Sequence, residues 1–143
     1  MAISFNELQV KLLGGSLPTI AHIGDAAYDL YCKESIVIQP ASRAVLPLGI
    51  ATCFTPNLVA IVKDKSSLAL RGLTVLGGVI DSGYRGEWKI IMFNSSTSEP
   101  FGFASGDKVA QFILLPKFIP RIYEVNELPD SSRGTGGFGS TGK

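Results

Sequence analysis

The chain has 143 residues, 45% of them hydrophobic and 17% charged, with a net charge of +1 and a mean hydropathy of +0.28. That length fits one domain with a real core, and the near-neutral charge excludes a basic footprint for a nucleic-acid polymer. No apolar run approaches the ~20 residues of a membrane helix, so the apolar surplus points to burial against other subunits.

The N-terminus, MAISFNELQVKLLGGS, has no basic start followed by an apolar stretch. No secretory signal is visible, and an intracellular protein, cytoplasmic or nuclear, is expected. Cys32 and Cys53 make no disulfide framework and are expected to be buried reduced thiols. Leu8, Val10 and Leu12 alternate with polar residues and predict the first strand. Residues 36–38, 45–52, 58–62, 89–93 and 109–113 are further strand candidates, most of them rich in Val and Ile. Prolines at 40, 47, 56, 100, 116 and 120 and many glycines punctuate them. The one helical candidate is 66–71, where two serines precede Leu-Ala-Leu and Gly72 can stop it. Short strands at regular spacing predict an all-β sandwich or barrel. A single domain is expected over residues 1–129. From 130 to 143 the chain is almost all Gly, Ser, Thr and charge around one Phe, and it is expected to be a flexible arm that orders only over a ligand.

Two glycine-rich strings in that arm are decoys. GTGGFG (134–139) follows no βα unit, and GFGSTGK (137–143) lacks both the Ser/Thr after the lysine and the helix of a phosphate loop. His22 is the chain's one histidine and can build neither a triad nor a multi-histidine metal site. The spacing of Asp25 and Asp29 would matter on a helix, not on a strand or turn. What remains is carboxylates, backbone amides and a few cations, a set suited to magnesium and phosphates.

GVIDSGYRGE (78–87) resembles the central motif of the trimeric deoxyuridine triphosphatase family, and RGTGGFGSTG (133–142) its C-terminal phosphate-closing motif. AAYDL (26–30), KSSLA (65–69) and GDKVAQ (106–111) are similar to the other three, in family order. The resemblance implies a distorted jelly-roll-like β-barrel with one short helix, assembling as a homotrimer with shared active sites. It implies Mg²⁺-dependent hydrolysis of dUTP to dUMP and pyrophosphate, which keeps uracil out of DNA and supplies dUMP for thymidylate synthesis. No nucleic-acid or membrane partner is expected.

By that resemblance Asp81 is the general base for the water attacking the α-phosphorus, and Gln111 contacts the α-phosphate and that water. Asp29 holds Mg²⁺ through bound waters, as suits an ion that keeps much of its hydration shell. Tyr84 packs on the deoxyribose and leaves no room for a 2′-hydroxyl. A hairpin around 78–91 resembles the uracil slot, with Gly78 and Lys89 as substrate contacts. Lys65, Ser66 and Ser67 match the phosphate-gripping segment at the helix start. In the arm, Arg133 binds the γ-phosphate, Phe138 stacks on uracil, and Gly139, Ser140 and Thr141 wrap the phosphates. The chain departs from the family at Asp64-Lys65, where Pro-Arg is commonest, so a planar fork is lost. It also carries Ala27 where glycine is commoner.

Two rivals share the fold. A dCTP deaminase would need a proton-shuttling acid beside the pyrimidine, and the hairpin offers only Glu87, which the motif treats as structural. A binding protein that has lost catalysis would not need Asp81.

Overall fold

The computed structural model describes residue 4 and residues 6–137. Among the described residues, eleven strands and one four-residue helix are strung in chain order. The strands β2 (Tyr28–Tyr31), β11 (Lys108–Pro116), β6 (Leu58–Lys63) and β8 (Val79–Asp81) form one antiparallel sheet in that order. The strands β4 (Ser42–Pro47), β9 (Lys89–Asn94) and β7 (Leu73–Leu76) form a second. Two further ladders pair β1 (Leu8–Leu12) with β5 (Ile50–Phe54) and β3 (Ile36–Ile38) with β10 (Phe101–Phe103). The helix α1 (Ser66–Ala69) joins β6 to β7.

Period-two patterning builds the core. Leu58, Ala60 and Val62 of β6 and Ile90 and Met92 of β9 point inward, and their neighbours are half-buried or exposed. At the centre Phe112 is fully buried, with Tyr28 stacked at 5.3 Å between ring centroids and Trp88 edge-on at 5.2 Å. Buried Asn94 ties separate segments, donating to the Ile38 and Glu99 carbonyls and accepting from Ser96 N–H.

Three expectations are corrected. The run 45–52 is two strands, because Gly49 turns the chain with φ +64° and its carbonyl accepts the N–H groups of Leu13 and Gly15. The helix stops at Ala69, two residues early, although Gly72 (φ +83°) does terminate the turn that follows. The segment 78–91 is not a hairpin, since β8 pairs with β6 while β9 pairs with β4 and β7. Trp88 is buried in this crossing: its backbone N–H donates to the Ile50 carbonyl and its carbonyl accepts from the Leu48 N–H, which ties the loop to the turn between β4 and β5. Both cysteines are free thiols, Cys32 buried and Cys53 only half-buried. No helix among the described residues is long and apolar enough to cross a membrane.

Candidate active site

The antiparallel register of β2 and β11 sets Gln111 directly opposite Asp29. Gln111 is held by donating its amide to the Asp64 carbonyl at 2.8 Å. The Asp64 carboxylate in turn accepts from Thr74 and from the Val75 N–H, which fixes the corner leading into α1. Asp29 is 5% exposed, and such burial of a carboxylate demands counter-charge. Lys65 donates to its Oδ1, and Lys108 Nζ lies 2.6 Å from Oδ2. Burial pushes the Asp29 carboxyl up, but bonds to Lys108 and Lys65 and their charges outweigh it and hold the group below the usual carboxylate range. The bond to Asp29 holds Lys108 correspondingly above the ordinary lysine value. Asp25, Ala27, Asp29, Lys65 and Gln111 line one pocket of about 260 Å³.

Asp81 lies elsewhere. It ends β8, exposed, opposite Val59 of β6. Its carbonyl accepts Tyr84 N–H at 3.0 Å, and the Tyr84 hydroxyl donates to the Glu87 carbonyl at 3.1 Å, so the ring lies along its own turn. Asp81, Tyr84, Glu87 and Lys89 line a second pocket of about 200 Å³ together with Val79 and Ile80. Gly78 does not line this pocket but precedes Val79, which does; it has φ +96°, its carbonyl accepts Val62 N–H at 2.7 Å, and a Cβ there would come within 2.8 Å of the Val62 carbonyl. Six candidate residues thus fall into two pockets of the single chain, Asp29, Lys65 and Gln111 in one and Asp81, Tyr84 and Lys89 in the other.

Ser66 and Ser67 are exposed at the start of α1, which no side chain caps. Arg133 is exposed in a turn, its Nε donating to the Gly136 carbonyl at 2.9 Å, and it lines neither pocket. Phe138, Gly139, Ser140 and Thr141 lie outside the described residues.

A family model described as dUTPase matches residues 14–142. The chain belongs to the dUTPase family. It is 44% identical over 141 residues to the deoxyuridine 5'-triphosphate nucleotidohydrolase of Clostridium kluyveri, covering 95% of this chain and 98% of that protein. It is 38% identical over 138 residues to the enzyme of that name from Leifsonia xyli, covering 94% and 91%. Among solved structures, the dUTPase of Staphylococcus bacteriophage 80alpha with dUPNHPP superposes with a TM-score of 0.90 at 27% identity, covering 96% of this chain and 99% of that one. A mutant dUTPase from phage phi11 of S. aureus, whose structure reveals the coordination of a structural Mg(II) ion, superposes with a TM-score of 0.81 at 25% identity, covering 87% of this chain and 100% of that one.

Within this dUTPase chain two pocket groups were not among the sequence candidates. Asp25 enters the same pocket as Asp29 because a tight turn, in which its carboxylate accepts His22 N–H, carries it there. Its place one residue before AAYDL was the available signal. Lys108 stands inside the GDKVAQ motif, and a β-bulge between Lys108 and Ala110 marks where it reaches Asp29.

Proposed function

We propose that the protein hydrolyses dUTP to dUMP and pyrophosphate, as its dUTPase family membership states, through the residues of the two pockets. The observation that carries the assignment of roles is that Asp81 and Tyr84 face one small pocket beside β8. Asp81 takes the proton of the attacking water while that oxygen bonds to the α-phosphorus. The bond from phosphorus to the bridging oxygen breaks, and pyrophosphate leaves with that oxygen. General-base help of this kind is worth roughly 10²–10⁴-fold. The Tyr84 ring walls the sugar, Gly78 and Lys89 border the base slot, and Gln111 orients the α-phosphate and the water. Lys65, Ser66 and Ser67 hold phosphates, and the arm closes with Arg133, Phe138, Gly139, Ser140 and Thr141.

The described residues contain no cluster of three or more potential ligands for a metal ion, and the Asp29 carboxylate faces two ammonium groups. This donor set fits a Mg²⁺ that arrives on the phosphates and meets Asp29 through water, not one caged by protein. Bound in that way, Mg²⁺ supplies neutralisation of phosphate charge.

Asp81 and Gln111 serve one reaction in this reading yet line separate pockets of a single chain, which supports a complete site assembled between copies, in the homotrimer that the family resemblance implies. Exposed Ile23, Leu70, Phe118, Ile119, Ile122 and Leu128, each more than four-fifths exposed in the isolated chain, supply apolar surface for that assembly. Residues 1–129 are the barrel domain and 130–143 the closing arm. No membrane or nucleic-acid partner is required by this reading.

Deamination of dCTP needs an acid free to shuttle protons. Glu87 shares the Asp81 pocket, but its Oε1 accepts Gly49 N–H at 3.0 Å and lies 3.7 Å from Lys33 Nζ, which commits it to structure. A panel of deoxy- and ribonucleoside triphosphates, read by pyrophosphate release and by ammonia, tests the reading. Strong pyrophosphate release from dUTP alone is expected; ammonia from dCTP, or equal release from other triphosphates, overturns it.

A further inference from the structure

The two lysines on Asp29 approach it from different sides. Lys65 lines the same pocket as Asp29 and Gln111 and contacts Oδ1 there. Lys108 lines a separate depression with Arg71, Phe101 and Asp107, and reaches Oδ2 from behind. Of the two ammonium groups, Lys65 is therefore the one that shares the pocket with the carboxylate. The Lys65 ammonium sits against the pocket face of Asp29, where a divalent cation would have to approach, and repels that cation at short range even though Asp25 also lines the pocket. A lysine suits a removable partner, because its ammonium is a point charge on a flexible four-carbon stem, unlike the rigid guanidinium fork.

Resting on the reading above, we propose that Lys65 is a built-in stand-in for the metal. In the nucleotide-free protein it occupies the pocket face of Asp29, and a triphosphate draws it away and frees that face for the water shell of Mg²⁺. Metal binding is then conditional on nucleotide. The carboxylate never has to be buried without counter-charge, because Lys108 stays in place throughout. The departure from arginine to lysine at this position thereby gains a role: the same side chain serves the carboxylate first and the phosphates second.

The test uses Mn²⁺ alone, without nucleotide, titrated into the full-length protein and followed by the electron paramagnetic resonance signal of free Mn²⁺. The parent and Lys65→Arg should bind too weakly to deplete that signal at millimolar metal. Lys65→Met should bind at least about ten-fold tighter, since one repelling charge beside a doubly charged ion is gone. Lys65→Gln, whose amide can still donate to Asp29, is the second variant should the methionine protein fail to fold. Adding Asp29→Asn to either should abolish the gain. Parent binding as tight as that of the neutral variants, no gain in either, or a gain that survives Asp29→Asn would each overturn the proposal. No nucleotide is present, so such a failure leaves the dUTP reading standing, and only the substrate panel can overturn that.

Discussion

Asp81 ends its strand with an exposed carboxylate that bonds to no side chain among the described residues, while its backbone is pinned by the Tyr84 turn. Replacing Asp81 by Asn keeps shape and removes the proton acceptor. The expected outcome is a fall in kcat of roughly 10²–10⁴ with the affinity for a non-hydrolysable dUTP analogue nearly unchanged. Near-full turnover in that variant would remove Asp81 from the mechanism. In the proposed reading Tyr84 acts by volume, because a pocket with spare room rejects an added hydroxyl by only ~10². Tyr84→Ala should therefore narrow the ratio of kcat/KM for dUTP over UTP. Its ring rests on Gly86, where a Cβ would come within 2.8 Å of the ring Cε2. Gly86→Ala should push the ring off its seat and shift the same ratio with the tyrosine intact. If both variants discriminate as the parent does, the sugar filter lies elsewhere.

The pairing of β2 with β11 carries both the site and much of the core. Phe112, wholly buried between Tyr28 and Trp88, should cost ~3–5 kcal/mol when cut to Ala, read by urea unfolding at fixed protein concentration. One residue away, Gln111 faces Asp29, whose carboxyl is held below its ordinary value of 3.8. A depressed carboxyl contributes stability that is present above the ordinary value and lost as pH falls through the lower native one. The gap in Tm between the nucleotide-free parent and Asp29→Asn should thus be full well above pH 3.8 and narrow as the pH falls below it. A gap that does not change over that range would mean the two lysines do not stabilise the ionised form. The long strands of this architecture were legible from alternation: β6 and β9 show it along most of their length. Strands β2, β7, β8 and β10 were not, because three or four residues are too few to display a period. The split at Gly49 and the crossing at Trp88 depend on which distant backbone each residue meets, and local pattern holds no record of that.

On the scale of the whole molecule, the five motifs were readable in order, but the division of four of them between two pockets was not, because sequence order does not say where in the sheets a motif ends up. That division is what makes assembly and the arm testable together. From residue 117 to 137 the chain forms no strand, and Phe118, Ile119, Ile122 and Leu128 stand almost wholly exposed. A segment so poor in contacts to its own barrel is expected to find them on another copy and to deliver the Arg133–Thr141 motif there. Deleting residues 133–143 removes the proposed phosphate clamp and uracil cover, and none of the described residues among them belongs to the buried core. The truncated protein should remain a folded trimer by sedimentation, bind the analogue weakly and barely turn over. Phe138→Trp reports closure directly, because an indole stacked on uracil should change its emission when the analogue and Mg²⁺ are added. The native Trp88 is 1% exposed and packed edge-on against Phe112, so its own emission should respond little, and the parent protein measures that residue of signal. Full activity after truncation, together with no ligand-dependent change beyond the parent's, would show that the arm takes no part in the site.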